Sequence, residues 1–527
     1  MPFLLMWLAL AIAGILGVFP RLSLKLRYLI IALAALIAGG LWLWARSATD
    51  SPVATTLLGY TLTVTPETWL LTGMALLALL IAGALGWTYS LQADNAPGST
   101  MAPGLLVMPV LGLMLFVWAG DPLTAALMLA LFMACWVLAL WYSGGLTGLP
   151  AGAQRHLASA LLVPVLLIWF ADAVALGGVV TAVWVELAAA AVLLAGAMLL
   201  GVWPFQTWRS AALSSRPQSA VLLMSLPIIA GAAILLPIAR QHPVGSGLLP
   251  ALGLILGLVG LLMGLRSGWR SLASDAAGIS GLAGGLAGLV LLTAVFASEA
   301  ALLSATRVAV FAPVFVALLM FQLRSNRDDG QQSFRKPHVW VVVGLFILVT
   351  LAVLGFPLMA GFTSLSGVYD AWQSGLRYFL VGILVALMTG WSAVLSRSIL
   401  SLILKSDEGN QTTAPRNDWL SILILVVPVL GLIQVNLSGL SGHSVVTWLA
   451  LLIPIVAGPV VAWLLKDRFE IPDAPVLPEE QVAVVTSGAQ RVGNIVGDAI
   501  AEAIGILEGP NGLLWVLVVL ALLFLIT

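Results

Sequence analysis

The sequence predicts an all-α polytopic membrane protein of about 14 to 16 transmembrane helices, and three observations carry that reading. Composition is the first: of 527 residues, 61% are hydrophobic and 8% charged, with a mean hydropathy of +1.11. A soluble domain carries about a quarter charged residues, so water is not the main solvent of this chain. Second, apolar runs recur along the whole length, each near the ~20 residues a helix needs to cross a hydrocarbon core of roughly 30 Å. Third, the longest polar stretches, from Lys466 to Asn511 and from Leu323 to Pro337, are too short to hold a catalytic domain with its own core. A soluble enzyme is excluded.

In chain order the expected spans are about 2–19, 27–46, 67–91, 103–119, 122–143, 157–176, 184–203, 217–239, 247–265, 272–297, 300–323, 338–360, 374–398, 418–436, 444–465 and 512–527. The basic residues check this count. With the loop of Arg21, Lys25 and Arg27 facing the cytoplasm, 18 of the 22 Lys and Arg residues fall on that side. Only Arg46, Arg240 and Arg377 fall opposite, and Arg307 lies inside a span. A wrong helix count would scramble such a bias. The expected setting is a bacterial cytoplasmic (inner) membrane, with both termini on the outer face. Tryptophans near span ends (Trp42, Trp44, Trp118, Trp203, Trp208 and Trp340) fit aromatic belts at the two interfaces.

The stretch after Pro2 is apolar to Phe19, without a basic n-region or cleavage signal, and is expected to be retained as the first helix. One cysteine, Cys135, rules out an internal disulfide framework or a multi-cysteine metal site. Between Pro478 and Glu508, Val485, Ala489, Val492, Val496 and Ala503 recur at helical spacing among charges. This predicts a helix lying along the cytoplasmic surface, either binding a neighbouring subunit or anchoring in the interface. The expected organisation is N-terminal helices and an outer loop (1–66), a transmembrane core (67–465), an amphipathic segment (466–511) and a last span (512–527).

Near the middle, Gly201-Val202-Trp203-Pro204-Phe205-Gln206-Thr207-Trp208 precedes Arg216-Pro217-Gln218-Ser219-Ala220-Val221-Leu222. Pro204 interrupts a helix at membrane depth, which is tolerated only where protein or a cavity satisfies the freed carbonyls. Such broken helices are typical of transporters and pumps. The segment resembles the antiporter-like subunits of respiratory complex I and of Mrp-type cation/proton antiporters, whose pattern reads PxxxW, then PTPVSALxHxxTxVxAG. Pro217, Ser219, Ala220, Ala230 and Gly231 stand where that pattern wants them. Gly355-Phe356-Pro357-Leu358-Met359-Ala360-Gly361-Phe362 is similar to the family's GLPxxxGF before its second broken helix. Thr306-Arg307-Val308-Ala309-Val310-Phe311 aligns with THAFFK, and Trp269-Arg270-Ser271-Leu272-Ala273 is similar to KRxLAYSS. The motifs fall in order over about residues 55 to 465. The resemblance implies an inverted-repeat antiporter-like fold with two broken helices.

It also implies a row of buried ionisable residues, because a proton crosses a low-dielectric interior only by visiting groups that can titrate. This chain departs from that row. Leu199 stands for the central lysine and Leu223 for the histidine after PVSAL; Arg307 and Phe311 replace the histidine and lysine of THAFFK. Leu365 stands for the terminal ionisable residue, and the run Pro122–Gly145 contains no acid. The interior around Leu199, Leu223, Phe311 and Leu365 is therefore expected to be dry and apolar. A candidate polar path among the remaining groups comprises Arg307, Asp275, Ser225, Ser364 and Glu186. Arg307 either snorkels, pairs with Glu299 two turns away, or gates. The residues expected to shape the breaks are Pro204, Pro217, Pro357 and Gly361.

Two readings follow from the resemblance. One is a membrane-arm subunit of a complex I-like, NADH:quinone oxidoreductase-related assembly that has lost its proton channel and acts as a scaffold. The other is a conducting proton or cation/proton antiporter subunit with a rerouted path. An unrelated transporter or a lipid-handling enzyme stands as a third class, with Asp370 and Arg377 in one outer loop. No catalytic residues, cofactor site or metal site are expected in this chain, and no pair of its four histidines has metal-ligand spacing. The expected partners are other membrane-arm subunits and the lipid bilayer, not nucleic acid.

Overall fold

The structure, a computed structural model, describes residues 2–46, 53–57, 60–92, 103–145, 151–176, 182–203, 205–240, 247–271, 276–328, 336–374, 377–407, 418–434 and 442–464. Helix dominates because an apolar segment in lipid has to satisfy every backbone N–H and C=O internally. The helices are α1 (Pro2–Val18), α2 (Leu24–Arg46), α3 (Pro66–Gln92), α4 (Val107–Val117), α5 (Pro122–Tyr142) and α6 (Ala151–Leu176). There follow α7 (Ala182–Leu200), α8 (Thr207–Ser214), α9 (Pro217–Arg240), α10 (Leu248–Ser271), α11 (Ala276–Phe296) and α12 (Glu299–Asp328). The described part ends with α13 (Lys336–Val353), α14 (Ala360–Ser374), α15 (Tyr378–Asp407), α16 (Asp418–Leu432) and α17 (Val445–Leu464).

Among the described residues ten helices are long and apolar enough to cross a membrane, and five shorter apolar helices accompany them. Together they match the first fifteen expected spans. The last span and the amphipathic segment before it lie outside the described residues. The protein is thus an all-α, multi-pass membrane protein. Its chain groups into two compact units, Met1–Leu149 with Ala160–Leu464 and Pro150–Ser159 with Leu465–Thr527. All sites described below belong to the first.

Three local elements escape the hydropathy reading. A hairpin of β1 (Val53–Leu57) and β2 (Tyr60–Val64) pairs antiparallel, with Val53 opposite Val64. Its β-branched residues suit a pleated surface. β2 then lies along the turn between α4 and α5: the Thr63 N–H donates to Trp118 O at 2.6 Å and the Gly120 N–H to Thr61 O at 2.9 Å. Asp121 caps α5 there, accepting from the Thr124 N–H at 2.8 Å and from Thr61 Oγ1 at 2.9 Å. Partial burial pushes the Asp121 carboxyl up, but these hydrogen bonds outweigh it and hold it below the usual range. The other two elements, α8 and α14, are the second halves of broken helices.

The innermost helices are α9, α11 and α12, buried on nearly all sides, while α2 and α17 keep most of their apolar surface outward. Close approach explains α11. A Cβ added at Gly264 of α10 would stand 2.5 Å from Gly281 O, and one added at Gly288 of α11 would stand 2.5 Å from Gly257 O. The two backbones touch through small residues, the packing that membrane interiors favour. The tryptophans divide. Trp44 and Trp340 face outward as belt residues do, whereas Trp118 and Trp208 are buried, as are Trp136, Trp372 and Trp391. For Trp118 and Trp208 the aromatic-belt expectation is corrected: these rings are core, and Trp208, like Trp136, spends its indole N–H on a backbone carbonyl inside the bundle.

Candidate functional site: two helix breaks and a polar network

The first break separates α7 from α8. Helix α7 stops at Leu200, Gly201 turns with φ +65°, and the chain resumes as helix at Thr207. Pro204 itself lies outside the described residues. The carbonyls freed at the end of α7 find donors: Trp208 Nε1–H donates to Met198 O at 3.2 Å and the Arg209 guanidinium to Leu200 O. Arg209 also donates to Ser280 O of α11 at 3.1 Å and sits 5.4 Å from the Trp208 ring centroid. It is the one fully buried charged side chain among the described residues, and its Nε has no acceptor there. Hydropathy assigned Arg209 to a cytoplasmic loop; the structure places it inside, closing the break.

Pro217 opens α9 at a position where a missing N–H costs nothing. Farther along, Pro227 removes the N–H that Leu223 O would otherwise accept. Trp136 Nε1–H of α5 takes that carbonyl at 2.9 Å. Trp136→Phe therefore leaves a buried carbonyl bare and is expected to destabilise the protein by about 1–3 kcal/mol. A lowered melting midpoint of the detergent-solubilised protein checks it; an unchanged midpoint would mean that Leu223 O has another donor.

The second break separates α13 from α14. Gly355 (φ +78°) and Leu358 (φ +70°) both take the left-handed conformation on either side of Pro357. For leucine that conformation costs roughly 1–2 kcal/mol. The chain after α16 supports it: the Gln434 N–H donates to Leu358 O at 2.9 Å, and Met359 bridges Ile433. Gly361 then lets the first turn of α14 lie directly against Ala352 O. Each break belongs to one crossing, and four crossings, α9 to α12, lie between them. An even number between sends the second break across the membrane in the opposite sense to the first, as inverted repeats require.

The four residues standing where the resemblance puts titratable groups are sealed in: Leu199 is 1% exposed, Leu223 0%, Phe311 2% and Leu365 0%. The Phe311 ring lies against Gly431 at the end of α16, where an added Cβ would meet it at 2.7 Å. Of the five candidate path residues, the two hydroxyls serve their own helices. Ser225 Oγ donates to Val221 O at 2.7 Å and Ser364 Oγ to Gly361 O at 2.8 Å, each within its own helix. Glu186 is exposed on α7, Arg307 is half-buried on α12, and Asp275 lies outside the described residues. Glu299, one proposed partner of Arg307, is engaged by Arg240 at 2.9 Å, and Arg240 also meets Glu67 at 3.1 Å. This triad ties the first turns of α3 and α12 to the last turn of α9, marking one end of the bundle. Acids at helix starts and a base at a helix end suit the helix dipoles.

A polar network that the sequence reading did not assemble lies on α14. Thr363, Ser366, Asp370 and Gln373 recur at three- and four-residue spacing along one face. At the outer end of that face, Asp370 Oδ2 lies 2.6 Å from His443 Nδ1, and Thr447 Oγ1 donates to Asp370 Oδ1 at 2.5 Å. Gln373 Nε2 donates to Thr447 Oγ1 at 2.7 Å, and Ser444 Oγ to Gln373 Oε1 at 2.5 Å. At the inner end, Ser304 Oγ of α12 donates to Gln434 Oε1 at 2.9 Å, and Gln434 Nε2 lies 3.5 Å from Thr363 Oγ1. Among the described residues no group of three or more His, Cys, Asp or Glu side chains could hold a metal ion.

No family model matches the sequence, and no curated protein matches it. Solved structures do. A chain of the Mrp complex from Dietzia sp. DQ12-45-1b superposes with a TM-score of 0.66 at 17% identity, covering 99% of this chain and 63% of that one. This chain thus spans less than two thirds of that Mrp chain. A chain of respiratory complex I from Thermus thermophilus matches with a TM-score of 0.55 at 19% identity, over 86% of this chain and 98% of that one. A chain of the membrane-bound sulfane sulfur reductase, an archaeal respiratory membrane complex, matches with a TM-score of 0.62 at 14% identity over 100% of both. These likenesses establish the fold: the chain has the all-α, polytopic, antiporter-like architecture.

Proposed function

We propose that this chain is a membrane-arm subunit of a multi-subunit, complex I-like assembly in which it serves as a scaffold without a through-path for protons. The carrying observation is the sealing of Leu199, Leu223, Phe311 and Leu365 at four points along the bundle. None of these side chains can take up a proton, and a fixed guanidinium at Arg209 stays charged at any physiological pH. Coupled pumping needs stations whose charge changes, and the sealed row offers none. The architecture supports the assembly part of the reading, since the matched chains come from respiratory and Mrp complexes. We place the complex in a bacterial cytoplasmic membrane with both termini outward, on the strength of the basic-residue asymmetry. In such an assembly redox chemistry resides in other subunits.

Two measurements test this. Mild-detergent purification of the tagged chain is expected to bring down other membrane and redox subunits in stoichiometric amounts. Reconstituted alone, the chain is expected to leave proteoliposomes as proton-tight as protein-free vesicles. A clean monomer would sink the assembly reading, and a proton or sodium flux above the vesicle background would favour the rerouted antiporter instead.

A further inference from the structure

Arg209 is a charge without a counter-charge. It is fully enclosed, and among the described residues no carboxylate pairs with it. Buried cations are rarely left in that state. Around this one stand oxygens instead. As the third residue of α8, Arg209 turns its long side chain back past the start of that helix, toward the end of α7. There the N–H groups of Val202 and Gly201 close the carbonyls of Ala197 and Met198, and Leu200 O is left to the guanidinium. Ser280 O of α11 accepts from Nη1 at 3.1 Å. Gly284 of α11 leaves the room: a Cβ added there would stand 2.9 Å from Nη1 and 3.9 Å from Gln206 Oε1. The Trp208 ring adds an aromatic face, its centroid 5.4 Å from Cζ. Because Leu200 is the last residue of α7, its carbonyl also carries the negative end of that helix dipole.

We infer that the first break is a cation-binding cage and that Arg209 is its tethered occupant. Carbonyls from two helices, one of them a helix C-terminus, together with an indole face are what a cation needs inside a membrane protein, where half-helix ends coordinate cations in the same way. The cage takes a monovalent cation, planar guanidinium best, because its two carbonyls meet separate N–H groups of the guanidinium plane. With its own arginine in place it takes none from solution. The inference stands on the geometry of the break alone, so its failure leaves the scaffold reading as it is.

Chemical rescue tests it in the full chain, purified in mild detergent. Arg209→Ala empties the cage, and its thermal midpoint is expected to fall by several degrees. Guanidinium chloride at low millimolar concentration, far below any denaturing level, is expected to restore the midpoint and to saturate. Arg209→Leu fills the same space with apolar atoms; it is expected to fall as far and to ignore guanidinium, as the unsubstituted protein does. Sodium and ammonium chloride are run at matched ionic strength, and restoration of the alanine variant alone by either supports the cage with a compact ion in it. If Arg209→Ala does not accumulate, two further variants carry the test. Arg209→Lys keeps the charge and is expected to accumulate, whereas Arg209→Gln keeps N–H donors without charge and is expected not to. The cage is overturned by an alanine variant that no cation restores, by equal salt responses in the alanine and leucine variants, or by an Arg209→Gln protein as stable as the unsubstituted one.

Discussion

Replacing Gly361 with alanine is expected to prevent the protein from accumulating in the membrane. A Cβ there would be driven into Ala352 O, a backbone atom held by the end of α13. Neither partner is a flexible side chain that can swing aside. The first turn of α14 would have to move away from α13, breaking the Gln434 N–H contact to Leu358 O and unseating Leu365 from Gly355. Overpacking of a rigid core costs about 1–3 kcal/mol and more when backbone must shift, so at least ~3 kcal/mol is expected at this site. Western blotting of membranes together with fluorescence-detected size exclusion checks it. A monodisperse Gly361→Ala protein at normal abundance would show that the two half-helices do not meet backbone to backbone.

The second large effect belongs to the α10–α11 seam. Gly264→Leu would set a side chain where an added Cβ already lies 2.5 Å from Gly281 O and 2.6 Å from Gly285 N. Helix α11 has no room to retreat, because it is buried on all sides, with Trp391 and Arg209 packed beside the seam at Gly285 and Gly284. The seam must open by the width of a side chain, and the Arg209 contact to Ser280 O opens with it. We expect loss of several kcal/mol, read as a collapse of the thermal midpoint of the purified protein. Gly344→Leu, at a position with nothing within 4 Å of an added Cβ, serves as the control and is expected to be silent. Equal midpoints for the two variants would disprove the close seam.

Hydropathy delivered nearly every long helix because a membrane span writes itself as a run of apolar residues, independent of its neighbours. The two short halves did not show up. Helix α14 carries Thr363, Ser364, Ser366, Asp370 and Gln373, so its sequence looks like a loop until tertiary contacts enclose it. Helix α8 is only eight residues long and contains Arg209. Arg209 misled for a related reason: a lone arginine beside an apolar run counts as a loop cation under a charge-asymmetry rule. Only the fold reveals that the carbonyls of Leu200 and Ser280 converge on it.

The sites split along the same line. Leu199, Leu223, Phe311 and Leu365 were singled out one by one by motif, and each is buried. The polar network was not legible. Asp370 and His443 lie 73 residues apart in the chain and Ser304 and Gln434 lie 130 apart, and no spacing rule joins residues so distant. The hydroxyls of Ser225 and Ser364 fit a polar path on paper. In the fold each satisfies its own helix, as serine in an apolar helix commonly does.

The opposed sense of the two breaks bears on how the protein feels an electric field. Each half-helix carries about half an elementary charge of either sign at its ends, and a break leaves such a pair of ends inside the dielectric slab. A single break would move in free energy with the transmembrane voltage whenever it flexed. Here α8 and α14 run toward opposite faces, so a given voltage pulls one outward and pushes the other inward. The two dipole terms carry opposite sign, so their summed coupling to the transmembrane voltage is smaller than that of either break alone.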